Sequence, residues 1–314
     1  MQHLILLLLK INKLNKTLLA HLALLAANLI YAINYSFAKD VMPDFIMPSG
    51  FILLRVIGAL FLFALSYFLF IKEKIEKKDI IRFAICGLFG VAINQLLFFE
   101  GLNLTTPINA AIIMTSNPIL VIIMSLLILK EKITLRKGLG IILGIVGASS
   151  LILNGGGINF SSDAQIGNLF IFINATSYGL YLVLVKPLMK KYKPITVMFY
   201  VFAFGLLLVF PFGIANLYQV NWNDIPTNIY WEISFVVVCT TFIAYLFNSS
   251  ALKELSPTTV SIYIYLQPIL ATLFAILRES DSLDKQKIIS SAIIFLGVYL
   301  VSVRSKKQSK RKLS

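Results

Sequence analysis

Charged residues are scarce in this chain: they make up 13% of 314 residues, while 58% are hydrophobic. Soluble domains carry roughly a quarter charged residues, so this shortage, with a mean hydropathy of +0.86, excludes an ordinary soluble domain. Histidine is almost missing, with only His3 and His21. That leaves too few imidazoles for a zinc centre or a serine-protease triad inside the apolar runs. Cysteine is equally rare. Cys86 and Cys239 both lie within apolar runs, where a free thiol serves as a small hydrophobe, so neither a disulfide framework nor a metal site is expected. Connections between apolar runs are brief, and all fourteen carboxylates fall in them or near the ends of runs. No cofactor is expected.

What the chain has is apolar length. About 20 helical residues cross the hydrocarbon core, and runs of that order recur at 18–37, 49–71, 83–102, 108–129, 138–153, 167–185, 195–215, 231–250, 258–277 and 288–303. The expected fold is an all-α membrane protein with ten transmembrane helices. The fifth and tenth runs are short and need flanking residues to complete a crossing. The stretch "LILLLLKI" lacks a small-residue cleavage site and reads as an interfacial lead-in.

The formal net charge is +14, which in a soluble protein suggests nucleic acid, but here the basic residues follow the loops. With the N-terminus in the cytoplasm, inside segments hold twenty-three of the 28 Lys and Arg residues. Outside segments hold Lys39, Arg278, Lys285 and Lys287, and Arg55 alone lies within a run. By the positive-inside rule both termini are expected in the cytoplasm, in a multi-pass protein of the cytoplasmic membrane. The basic tail reads as a topology anchor.

The second half repeats the first. At an offset of 150, Leu102 falls on Leu252, Pro107 on Pro257, Pro118-Ile119-Leu120 on Pro268-Ile269-Leu270, and Gly147 on Gly297. At an offset of 147, Tyr31-Ala32 falls on Tyr178-Gly179 and Lys39 on Lys186. Five runs per half is an odd number, so copies folded alike cross the membrane in opposite senses, as inverted-topology repeats do. The expected division is a lead-in at 1–17, one five-helix repeat at 18–153, an outside linker at 154–166, a second repeat at 167–303 and a basic tail at 304–314. Pro118 and Pro268 break their helices, each preceded by an amide, Asn117 and Gln267. Freed backbone groups at membrane depth are tolerated where they face protein or a wet cavity.

The stretches "LNLTTPINAAIIMTSNPIL", "KEKIT" and "GIILGIVGASSLI", with "LKELSPTTVSIYIYLQPIL", "RESDSL" and "FLGVYLVS" in the second copy, resemble the EamA-type permeases of the drug/metabolite transporter superfamily. The resemblance implies two homologous five-span halves and transport, commonly export, of small metabolites such as amino acids. Within it, Glu131 matches an acidic residue after the fourth span, Glu279 or Asp281 holds that place in the second copy, and Arg55 in "MPSGFILLR" matches an arginine in span 2. Family members often carry tryptophan where Tyr31 and Tyr178 stand.

A substrate cavity needs polar or aromatic groups at mid-membrane depth, where polarity facing lipid is costly. By depth the candidates are Asn28, Tyr31 and Asn34; Asn94, Gln95 and Phe98; Asn117; Asn174, Tyr178 and Tyr181; Tyr245 and Asn248; and Tyr263 and Gln267. For each amide the alternative is an interhelical hydrogen bond. Arg55 and Glu100 are candidates for coupling or an ion pair, with Asp40, Asp44 or Glu100 as partners for the arginine. The expected activity is alternating-access movement of a small neutral or zwitterionic solute, export before import. A lipid flippase is the alternative, and an intramembrane enzyme a remoter one. Expected partners are the solute and the bilayer, not nucleic acid; a homodimer is compatible.

Overall fold

The computed structural model describes residues 2–129, 135–152, 162–279 and 285–302. The expected contributions of Glu131, Asp281, the basic tail and most of the 154–166 linker lie outside them. Among the described residues the regular structure is helical, and it forms ten helices. They are α1 (Gln2–Val41), α2 (Pro48–Ile71), α3 (Lys77–Leu104), α4 (Pro107–Ile128), α5 (Leu135–Ile152), α6 (Asp163–Lys191), α7 (Pro194–Tyr218), α8 (Thr227–Glu254), α9 (Pro257–Leu277) and α10 (Lys285–Ser302). Eight are long and apolar enough to cross a membrane. The other two, α5 and α10, have shorter apolar cores, Gly138–Gly147 and Ile288–Gly297.

Local chemistry explains where these helices start. Pro48, Pro107, Pro194 and Pro257 open α2, α4, α7 and α9, a position where the missing N–H has no helical partner to lose. Thr106 caps α4 by accepting from the Asn109 N–H at 3.3 Å, and Ser256 caps α9 by accepting from the Thr259 N–H at 3.1 Å. Ser162 and Gln165 form a reciprocal capping box at the start of α6, satisfying two orphan donors at once.

Proline also explains the breaks. Pro118 has no N–H to return to the carbonyl one turn back, and α4 is interrupted at Thr115 and Ser116. Thr115 bonds to the Ile112 carbonyl and Ser116 to that of Ile113, each through backbone N–H and hydroxyl alike, so these two carbonyls at the break stay satisfied. In α9 a 3-10 turn at Tyr263–Tyr265 precedes Pro268. Wide π-helical turns occur in α3 at Leu88–Ala92 and in α8 at Val236–Ile243.

Helix directions follow from contacts. Gly101 near the end of α3 lies against Gly167 near the start of α6, so α6 begins at the face where α3 finishes. At that same face, here the upper one, Arg278 after α9 pairs with Asp40 of α1 at 2.6 Å and approaches Glu232 of α8 at 3.4 Å. Asn216 of α7 donates to Ser49 of α2 there, at 2.7 Å. At the lower face Lys191 bridges Glu76 at 2.6 Å and Asp79 at 2.5 Å, tying the end of α6 to the start of α3. Helices α1, α3, α7 and α9 therefore run upward, and α2, α4, α6 and α8 downward. Within this frame α1 packs on α8 and α9, α6 on α3 and α4, α2 on α7, and α5 on α10.

Candidate functional site

Where α1, α8 and α9 face α3 and α6, they form a cavity of ≈ 70 Å³. Helical spacing supplies its walls, since residues three or four apart share a face. From α1 come Asn28, Tyr31, Asn34 and Tyr35; from α3, Asn94, Gln95, Phe98 and Phe99; from α6, Asn174 and Tyr178; from α8, Thr240, Tyr245 and Asn248; from α9, Val260, Ile264 and Gln267. Arg55 of α2 and Met114 of α4 complete it. No carboxylate is among the described lining residues.

A polar chain fixes one side. The Tyr35 hydroxyl donates to Gln267 Oε1 at 3.0 Å, Gln267 Nε2 donates to Asn28 Oδ1 at 2.7 Å, and Asn28 Nδ2 donates to the Leu24 carbonyl at 2.8 Å. Opposite, Gln95 Nε2 donates to the Tyr245 hydroxyl, which donates to Asn94 Oδ1, both at 3.2 Å. Asn248 Nδ2 donates to the Tyr31 hydroxyl at 3.2 Å. Such networks in a low-dielectric interior hold side chains in one arrangement. Several acceptors nevertheless lack a partner: Asn34 Oδ1, Gln95 Oε1 and Asn174 Oδ1 are buried without a hydrogen bond.

Three of the sequence candidates stand elsewhere. Asn117 is fully buried and donates to the Ala175 carbonyl at 2.6 Å, joining α4 to α6. Tyr181 packs in the core with its hydroxyl toward Met198 Sδ at 4.0 Å. Tyr263 bonds His21 Nδ1 at 2.6 Å, nearer the lower face. The alternative of an interhelical bond therefore describes Asn117. Pro118 and Pro268 sit at the breaks of α4 and α9 without lining the cavity.

The ion pair expected for Arg55 does not form among the described residues. Asp40 is taken by Arg278, and Glu100 lies by the Ser49 backbone N–H. Arg55 is instead 3% exposed at the cavity wall. Its Nε–H donates to Thr241 Oγ1 at 2.9 Å, and its guanidinium carbon lies 4.3 Å from the Phe99 ring centroid. The π-helical turn of α8 makes this geometry: Thr241 donates its own proton to the Val236 carbonyl, five residues back, at 2.7 Å, which leaves its lone pair for Arg55.

Six further lining residues had not been picked out from sequence: Tyr35, Phe99, Met114, Thr240, Val260 and Ile264. Tyr35 was detectable, four positions beyond Tyr31 on one helical face. The others lack any polarity that marks them within an apolar run, apart from Thr240, whose exposure to the cavity follows the widened turn.

Helices long and apolar enough to cross a membrane thus surround a cavity lined by amides, tyrosines and one arginine. The sequence profile of the EamA-like transporter family matches residues 18–153 and 165–303, and the chain belongs to that family. It is 27% identical over 234 residues to the uncharacterized transporter YyaM of Bacillus subtilis, covering 74% of this chain and 76% of that one. Identity to an uncharacterized transporter of Archaeoglobus fulgidus is 27% over 291 residues, covering 90% and 97%. A WAT1-related protein of Arabidopsis thaliana is 24% identical over 302 residues, covering 86% and 79%. A solved structure described only as a crystal structure of a protein shares the fold, with a TM-score of 0.61 at 17% identity, covering 96% of this chain and 99% of that one. The chain is thus a multi-pass membrane transporter.

Proposed function

We propose that this protein is a secondary transporter that moves a small neutral or zwitterionic metabolite, such as an amino acid or a relative of one, across the cytoplasmic membrane by alternating access, with export as its physiological direction. The observation that carries the reading is the cavity itself, which lies at the seam between two groups of helices and is lined, among the described residues, by amides and tyrosines without a carboxylate. One group is α1, α8 and α9; the other is α3, α4 and α6. Their matched features support two inverted five-helix repeats spanning the membrane ten times, divided at 18–153 and 167–303. Asn117 ties α4 to α6 as Gln267 ties α9 to α1, and the π-helical turns of α3 and α8 correspond. The distribution of basic residues supports termini, and hence the lower face, in the cytoplasm.

The cavity's volume supports a small solute over a lipid. A water occupies about 10–15 Å³ of such space, so ≈ 70 Å³ holds roughly five to seven water-sized groups. The test is an untargeted comparison of metabolites in medium and cytosol of a transport-deficient host making wild-type protein or Gln267→Ala at equal surface levels. Accumulation of a small solute outside with wild type, reduced in the variant, is expected. Unchanged small solutes with both proteins folded in the membrane would remove the export reading.

A further inference from the structure

Arg55 is the one charged side chain among the described residues that line the cavity, and among those residues it forms no ion pair. Removing a charge from water is costly unless it is paired and hydrogen-bonded. Here the described carboxylates near the upper half are engaged otherwise or form no ion pair with it. Thr241 accepts from Nε–H at 2.9 Å. Arginine carries five N–H donors, so four remain on the two terminal nitrogens. Phe99 covers one face of the guanidinium and Thr241 fixes its tilt, which leaves the forked edge to meet a ligand in the cavity.

We infer that Arg55 is the anion anchor of this cavity and that the transported solute carries a carboxylate, held side-on by the guanidinium's free N–H groups. The inference rests on the transport reading for the word "transported" and on the geometry of Arg55 for the rest. A planar carboxylate matches the arginine fork with two parallel charge-assisted hydrogen bonds. The same wall carries the amides of Asn34, Gln95 and Asn174, polar surface that suits an ammonium group beside the carboxylate. A small zwitterionic amino acid meets both demands and agrees with the proposed solute class. Arg55 is thereby assigned as a specificity-determining residue: it discriminates acids from their amides, because a carboxamide group cannot compensate the buried guanidinium charge.

The test uses the purified full-length protein in lipid nanodiscs and matched probe pairs: alanine and alaninamide, serine and serinamide, lactate and lactamide. Ligand-dependent thermal stabilisation gives apparent affinities, and the same probes are followed into proteoliposomes. At least one acid is expected to bind the wild type about tenfold or more tightly than its amide, the range of a charge-assisted hydrogen bond. Arg55→Gln is expected to erase that preference, and Arg55→Lys to retain it with weaker binding, since lysine keeps the charge and loses the fork. Equal binding of acid and amide by wild type overturns the inference even if Arg55→Gln fails to fold. So do failure of every acid to stabilise wild type, and equal stabilisation by chloride or phosphate. Binding of acids without flux of any probe would leave the anchor standing and count against transport. Flux of amides without acid preference would do the reverse.

Discussion

Lys39 and Lys186 do the same thing at opposite ends of the molecule. Lys39 of α1 donates from Nζ to the carbonyls of Leu102, Asn103 and Thr105, where α3 turns into α4 at the upper face. Lys186 of α6 donates to the carbonyls of Leu252, Lys253 and Leu255, where α8 turns into α9 at the lower face. The last carbonyls of a helix have no partner within it, and an ammonium there also complements the helix dipole.

Each lysine joins one helix group to the other, so each is expected to hold one face closed. Replacing either with methionine strands carbonyls and is expected to lower stability by about 1–2 kcal/mol. Lys39→Met should open the cavity toward the upper face and Lys186→Met toward the lower. Reaction of cysteines placed at Asn34 and at Asn248 with a membrane-impermeant thiol reagent, applied from one side, reads the difference. Identical reactivity in the two variants counts against the assignment.

The crossing of α3 and α6 depends on two glycines. A Cβ on Gly101 would stand 2.8 Å from the Gly167 carbonyl oxygen, and one on Gly167 would stand 2.7 Å from that of Gly101. Backbone cannot yield as a side-chain tip can, so Gly101→Ala or Gly167→Ala should destabilise by about 1–3 kcal/mol through overpacking. Because the same two helices carry Asn94, Gln95 and Asn174, ligand-induced stabilisation should fall as well. Melting in nanodiscs with and without ligand separates these effects.

Arg278 pairs with Asp40, approaches Glu232 and lies over the rings of Phe37 and Phe274, 5.3 and 5.8 Å from their centroids. Arg278→Gln leaves the two carboxylates facing each other. Arg278's side chain is about a third exposed, at 34%, which reduces the effect to roughly 1 kcal/mol from the 3–5 kcal/mol of a broken buried pair. Adding Asp40→Asn should recover most of the loss, and thermal melting of the single and double variants tests this coupling.

At the lower face, hydrogen bonds from Lys191 and then Lys78 hold the exposed Glu76 carboxyl below the usual glutamate range. A depressed carboxyl contributes stability above its unfolded pKa, about 4.3, and loses it as pH falls through the folded value. Glu76→Gln should therefore be less stable than wild type near neutrality, with the difference closing as pH falls from about 5 to 3, so that the variant's acid loss is shallower. Denaturation midpoints across that range check the sign.

Much of this architecture was legible in the chain because a bilayer imposes simple rules on sequence. Apolar runs must reach a set length, so the eight helices long and apolar enough to cross, and the two with shorter apolar cores, stand near the positions of the runs. Proline cannot donate a backbone hydrogen bond, so the interruptions beside Pro118 and Pro268 follow from residue type alone. Helical spacing likewise gathered Asn28, Tyr31 and Asn34 on one face, and Asn94, Gln95 and Phe98 on another.

Tertiary structure decided which of those polar groups serve the packing and which face the cavity. Asn117 and Gln267 occupy equivalent places in the sequence, yet one is spent on the Ala175 carbonyl and the other lies on the cavity wall. Arg55 shows the same division. Its position near the end of an apolar run suggested an ion pair, but Arg278, 223 residues away in the chain, takes Asp40, and a widened turn in α8 presents Thr241 instead. Composition and periodicity fix what each helix can bury, because they act within one helix. The partner of a buried charge depends on several helices meeting at one point, and that meeting is a property of the fold.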